Sequence, residues 1–328
     1  MKLSSGNIFN DLRRWQKMYL KHIKSQGFSK NSISLYNYSI NTFIDFLYEE
    51  IEDYGITDIS ELNSIIFTSF LSFLENVSKK NKKVKNIEGT YLMSTSKASY
   101  LKSLRSFFSF ISMNNNEDVS FMKYFSSIRV GKTSEAKREF LDEYEIKRLI
   151  SYLDAHKNKN SFNSYRNSLL IKVMLFGGLR ISEGLGLKLC DFFLIESSNM
   201  FKITVYGKGG YRQDAYIERD VVSDEIDFFN EVGYKNDLPL MVSGKGNVLD
   251  RTNVYTMVNL IYKKCLISKK GLHTLRHSVA MRLMRNGVDI STTQKFLRQK
   301  SITSTQIYAK AEEKDIAKAL SLLSSSSS

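Results

Sequence analysis

The chain has 328 residues, of which 42% are hydrophobic and 12% aromatic, a formal net charge of +14, and two cysteines, Cys190 and Cys265. That length suits two domains that each bury a core, and the composition excludes a disordered chain, a disulfide framework and a C-x-x-C zinc site. The basic residues are spread along the whole chain, so an extended polyanion is the expected partner; a basic surface without a ligand is the alternative.

The chain starts MKLSSGNIFNDLRRW, which lacks the apolar core of a signal peptide. No apolar run approaches the roughly 18 residues of a membrane span, and no strongly cationic interfacial helix is evident. A cytoplasmic location is expected, with no membrane partner. Leu12, Trp15, Tyr19 and Ile23 then recur at helical spacing, and a second helix after Gly27 carries Ile33, Tyr36, Ile40, Phe43 and Leu47 on one stripe. A third helix is predicted over roughly Glu61 to Asn76. KKNKKVKN, residues 79 to 86, reads as an exposed loop, since it is too charged to pack. The helix predicted from about Ser94 to Met113 turns Leu101, Leu104, Phe108 and Ile111 inward and leaves Lys97, Lys102 and Arg105 available for contacts with the expected polyanion. About four helices form a bundle over residues 1–129.

Apolar periodicity lapses over residues 130–140, the predicted linker, and a second domain is predicted over 141–323. Asp142 and Glu145 look like an N-cap and its reciprocal partner, opening a helix with Ile146, Leu149 and Leu153. A helix from about Ser164 to Phe176 leads to a turn at Gly177-Gly178 and a short helix after Arg180. FKITVYGKGGYRQDAYI, residues 201 to 217, switches to strand alternation around a glycine turn that holds Lys208. Helices follow at about Thr252 to Lys264, His273 to Asn286, which Gly287 ends, and Ser291 to Leu297, for which Ser291 and Gln294 are the predicted caps. A helix after Tyr308 carries Ile316, Leu320 and Leu323, and a low-complexity tail closes the chain at 324–328. Both cysteines are expected to be buried.

Four features of the second half are candidates for chemistry: Arg180 at the glycine turn, Lys208 in GKGG, the run His273-Thr274-Leu275-Arg276, and Tyr308. A guanidinium is permanently charged and donates two parallel hydrogen bonds to phosphate oxygens, so two arginines and a histidine suit a phosphodiester. Taken singly, each has an ordinary reading as a cap, a turn residue or a helix surface. His273 and His277 lie four apart, but the rest of a metal motif is absent, so no metal and no cofactor are expected, and His277 reads as a structural side chain.

The segments LFGGLRISEGLGLKLCDF, VYGKGGYRQDAYI, GLHTLRHSVAMRLMRNGVDISTTQKFL and STTQKFLRQKSITSTQIYAKA resemble the tyrosine recombinases, which include phage integrases and Xer-type resolvases. The resemblance covers nearly all of the second half and is looser in the first. It implies a mainly α fold, with an N-terminal helical core-binding domain and a C-terminal, mostly helical catalytic domain with a small β-hairpin or sheet. It further implies that Arg180 and Arg276 clamp the scissile phosphate and that His273 handles the tyrosine proton. Lys208 would protonate the leaving 5′ oxygen and Tyr308 would form a 3′-phosphotyrosine link. Glu183 matches an acidic position that supports the site; an acid at a helix N-terminus is the equal alternative.

The chain departs from the family where L-G-H is usual, nine residues before the tyrosine, and has Leu297-Arg298-Gln299 instead. Some members carry tryptophan in the last position, so the shared need is a donor to a nonbridging oxygen, which the Gln299 amide meets. Arg298 adds a charge of unassigned effect and is a further candidate for DNA contact.

The resemblance implies a site-specific recombinase that clamps double-stranded DNA with inverted half-sites. It would act as a homodimer on each site and a homotetramer in the synapse, exchange strands through a Holliday junction, and in some members need an accessory activator protein. Chromosome-dimer resolution and mobile-element integration or excision both fit. A non-catalytic DNA-binding relative and a type IB topoisomerase are the competing readings. The helix after Tyr308 would dock on a neighbouring protomer, or in cis.

Overall fold

The computed structural model describes residues 1–80, 94–130, 139–158, 160–207 and 209–299. The chain divides into two compact units, Met1–Ala136 and Lys137–Ser328.

The first unit is built from α1 (Ile8–Ser25), α2 (Lys30–Tyr54), α3 (Ser64–Lys80), α4 (Ser94–Asn114) and the short α5 (Met122–Ser126). Asn7 and Ser29 cap the first two helices by accepting from the N–H groups of Asn10 and Ser32. The α1 stripe of Leu12, Trp15, Tyr19 and Ile23 is buried, as are Ile40, Phe43 and Leu47 of α2 and Leu104, Phe108 and Ile111 of α4. Their rings meet mostly edge to face; Phe43, for example, packs 5.2 Å from Phe70 and 5.7 Å from Phe108. Helix α3 starts three residues later than the sequence suggests, because Ile59–Glu61 forms a 3-10 turn capped by Asp58. It also runs on to Lys80, so the first two residues of KKNKKVKN are helical; residues 81–86 lie outside the described residues.

The second unit contains α6 (Glu143–Ala155), α7 (Phe162–Leu175), α8 (Ile181–Leu185), β1 (Phe192–Ile195), β2 (Met200–Tyr206), β3 (Arg212–Glu218), α9 (Arg219–Glu231), α10 (Arg251–Lys264), α11 (Leu272–Arg285) and α12 (Ile290–Phe296). Helix α6 opens on a reciprocal cap: Asp142 accepts from the Glu145 N–H at 2.8 Å and Glu145 accepts from the Asp142 N–H at 2.9 Å. Helix α7 is its central pillar and is buried from Ser168 to Leu175. Even its charged Lys172 is buried, with Nζ 2.9 Å from Glu225 of α9 and 3.1 Å from Asp154 of α6. The pairing keeps both charges tolerable in the interior.

The ribbon carries a third strand: β1, β2 and β3 form one antiparallel sheet in that order, with Phe192 opposite Ile203 and Tyr206 opposite Arg212. Ile203, Val205, Ala215 and Ile217 point into the core, as the alternation predicts. Two expectations need correction. Asp289, not Ser291, caps α12, accepting from the Thr292 N–H at 2.9 Å; a carboxylate is favoured there by the helix dipole. Cys265 is buried but Cys190 is exposed, because it follows the turn at Lys188 rather than a core helix.

Candidate active site

The turn between α7 and α8 comes first in the sequence. Gly178 has φ of +59°, and a Cβ there would lie 2.7 Å from Cδ2 of Leu297, so only glycine lets the turn pass under the segment after α12. The Leu179 N–H donates to the Val173 carbonyl at 3.2 Å, closing the turn, and buried Leu179 anchors it. Arg180 then sits at the N-cap of α8 with 35% of its side chain exposed.

Glu183 lies one helical turn later and is fully buried at its carboxylate end. Its Oε2 accepts from the Arg180 N–H at 2.8 Å and its Oε1 from Nη1 of the Arg180 guanidinium at 2.5 Å. Glu183 thus caps α8 and at the same time pairs with the Arg180 guanidinium. Burial pushes the carboxyl up, but the Arg298 charge and the hydrogen bonds from Arg180 and Arg298 outweigh it and hold the group below the ordinary glutamate value.

Arg276 projects from α11 into the same place. Its guanidinium donates to the carbonyls of Gly178 and Leu297, and Nη1 stands 4.0 Å from Glu183 Oε2. It thereby ties the α7–α8 turn to the end of α12. His273, three residues earlier on α11, is exposed, with Nε2 3.4 Å from Nη2 of Arg251 at the start of α10. Arg251 was not singled out in the sequence, where nothing marks it as a neighbour of His273. His277 is half-buried, its ring 6.2 Å from that of His273. Among the described residues no group of three or more His, Cys, Asp or Glu side chains is arranged to hold a metal ion.

Arg298 corrects the sequence reading. Its side chain is only 5% exposed, which removes it from the candidates for DNA contact. The guanidinium turns inward and donates to Glu183 Oε2, the Gly178 carbonyl and the Phe296 carbonyl, each at 3.0 Å. Its own carbonyl accepts from Nη2 of Arg180 at 2.8 Å. The backbone is left-handed, with φ of +52°, a conformation costing a side-chain-bearing residue about 1–2 kcal/mol. The three hydrogen bonds offset that cost. Burial lowers the Arg298 guanidinium, and Glu183 acts against this.

Gln299 follows, half-buried, its N–H donating to the Gln294 carbonyl at 3.1 Å and its carbonyl accepting from Gln294 Nε2 at 3.0 Å. Arg180, Glu183, Arg276, Arg298 and Gln299 are therefore brought together, with His273 on the first turn of the Arg276 helix. Three guanidinium charges against one carboxylate leave the cluster net positive, which suits a phosphodiester and the further charge it gains under attack. Lys208 and Tyr308, with the helix carrying Ile316, Leu320 and Leu323 and the tail 324–328, lie outside the described residues. In the first unit Lys102 and Arg105 are exposed on α4, Arg105 donating to the Phe125 carbonyl at 2.8 Å, while Lys97 is half-buried.

Known proteins resemble this chain in sequence and in fold. Tyrosine recombinase XerH of Campylobacter jejuni is 27% identical over 225 residues, covering 66% of this chain and 62% of its own length, just under two thirds. Tyrosine recombinase XerA of Pyrococcus horikoshii is 25% identical over 307 residues, covering 92% of this chain and 90% of its own. The fold matches the crystal structure of XerH bound to a palindromic difH substrate in a post-cleavage complex, with a TM-score of 0.78, 20% identity, and coverage of 98% of this chain and 99% of that one. The phage integrase family model matches residues 139–315, more than half of the chain, and the chain belongs to that family of tyrosine recombinases.

Proposed function

We propose that the protein is a site-specific DNA recombinase that cuts and rejoins strands through a covalent tyrosine intermediate. The observation that carries this reading is the convergence of Arg180 and Arg276 on Glu183, in a chain whose family match runs through Tyr308. The Tyr308 hydroxyl attacks the scissile phosphorus and gives up its proton to His273. An unperturbed tyrosine titrates near 10, so it needs a base and a cationic surround to react. Arg180, Arg276 and the Gln299 amide donate to the nonbridging oxygens. The bond to the 5′ oxygen breaks, and that oxygen takes a proton from Lys208. The 3′-phosphotyrosine conserves the phosphodiester bond energy, so attack by a different 5′-hydroxyl reseals the strand and frees the tyrosine.

The palindromic substrate of XerH favours inverted half-sites here, one protomer on each, with two pairs forming the synapse and a Holliday junction between exchanges. The unit Met1–Ala136 supplies further contacts to the duplex through the exposed cations of α4, and a nucleoid location follows from that partner. Chromosome-dimer resolution is the role nearest to the Xer relatives. Accessory activation is tested by whether purified protein alone completes both strand exchanges.

The deciding experiment incubates the full chain with a nicked duplex selected for binding from a random pool. A protein–DNA adduct that disappears in Tyr308→Phe is expected. No adduct with the unaltered chain overturns the proposal and leaves a DNA-binding relative. Relaxation of supercoils by a monomer on DNA lacking the selected sequence assigns the chemistry to a topoisomerase instead.

A further inference from the structure

We infer that Arg298 is a positioning residue, a buried permanent cation that holds Arg180, Arg276 and Gln299 in register behind the scissile phosphate without touching DNA. This rests on the recombinase reading and deepens it.

Arg298 bonds directly to three parts of the cluster and reaches the fourth, Arg276, through a shared acceptor. The Arg298 side chain reaches Glu183 Oε2 and the Gly178 carbonyl at 3.0 Å, and its backbone carbonyl receives Arg180 Nη2 at 2.8 Å. The Gly178 carbonyl also receives Arg276 Nη1, so the two guanidinium groups share an acceptor on the α7–α8 turn. The next residue is Gln299, whose backbone N–H and carbonyl are both bonded to Gln294. A left-handed φ of +52° at Arg298 makes this possible: it turns the chain sharply enough for the side chain to run back under the turn while Gln299 returns to α12.

Electrostatics gives the arrangement its purpose. Glu183 is fully buried at its side chain and needs cationic partners. Arg180 occupies its Oε1, and Arg276 stands 4.0 Å from its Oε2. Without Arg298, that oxygen is left to Arg276, already held beside it by the Gly178 and Leu297 carbonyls, and the carboxylate cancels more of the charge that the phosphate needs. With Arg298 on Oε2, the carboxylate still orients Arg180, while the third guanidinium leaves the cluster with net positive charge for the substrate. A residue acting this way changes the chemical step more than DNA binding.

The test compares the full chain with Arg298→Gly, Arg298→Lys and the double variant Arg298→Gly/Glu183→Gln, on the nicked duplex selected for binding. Glycine suits the left-handed backbone, so Arg298→Gly is expected to fold, with thermal unfolding as the check. Its duplex affinity should stay within about threefold of the parent, while single-turnover adduct formation slows by about a hundredfold, as for loss of one transition-state donor. Arg298→Lys should be intermediate, because it keeps the charge and loses the fork. The double variant should recover at least about tenfold of the lost rate, since the unbalanced carboxylate is gone.

Unchanged cleavage in Arg298→Gly overturns the inference, as does a parallel loss of affinity and rate, which marks a DNA contact. A double variant no faster than Arg298→Gly overturns the charge argument. If the unaltered chain forms no adduct, the recombinase reading fails by itself. The positioning role is then decided by stabilisation against heat with inorganic phosphate: supported if Arg298→Gly abolishes it, overturned if the variant keeps it or the parent shows none.

Discussion

Gly178 and Leu297 touch without room for a methyl group between them: a Cβ built on Gly178 lies 2.7 Å from Cδ2 of Leu297, which is fully buried. This contact sets the distance between the turn that precedes Arg180 and the segment that carries Arg298 and Gln299. With φ at +59°, Gly178→Ala adds backbone strain to the overlap. A loss of about 2–4 kcal/mol in the stability of the second unit is expected, measured by denaturant unfolding. Trimming the partner in Gly178→Ala/Leu297→Ala should cost less than the sum of the single changes, because the overlap is relieved.

Glu183 links stability to pH. Its folded pKa lies below the unfolded value near 4.5, so the ionised carboxylate stabilises the fold above that value, and the contribution is lost as pH falls through the lower folded pKa. Glu183→Gln has nothing to lose in that window. Its melting temperature should therefore fall less steeply than the parent's below pH 4.5, while at pH 7 it should be less stable because Arg298 loses its counter-charge. Parallel melting curves for the two proteins would contradict the assignment.

Gln299 is predicted to act as a donor rather than a proton carrier. Gln299→His should keep or raise the rate of adduct formation, and Gln299→Leu should lower it by about a hundredfold, the usual cost of losing one oxyanion donor. Equal single-turnover rates in all three proteins would place the side chain off the phosphate.

Lys102 and Arg105 lie exposed one turn apart on α4, with the Arg105 guanidinium fixed by the Phe125 carbonyl. If both contact phosphates, each alanine variant weakens binding to all sequences alike and reduces the slope of log affinity against log salt by about one. Fluorescence anisotropy over a salt series measures this, and an unchanged slope removes that residue from the interface.

The helices were legible because burial has a period: Leu12, Trp15, Tyr19 and Ile23 announce the buried face of α1 without any tertiary information. Local capping was legible where one candidate stood alone, as at Asp142, and misread at α12, where Asp289 outcompetes Ser291 two residues away. Strand β1 is a four-residue apolar run with no alternation to reveal it, and the sheet consequently reads from sequence as a two-stranded ribbon.

The sequence alone determined the helical periods, and its resemblance implied one chemistry for Arg180, Lys208, His273, Arg276 and Tyr308. Arg298 shows what it did not determine. Read along the chain, an arginine beside Gln299 is one more cation for DNA; in the fold it is buried on a carboxylate 115 residues away. Charge is a property of a side chain, but its effect depends on which counter-charge the fold brings within hydrogen-bonding distance, and only tertiary packing decides that.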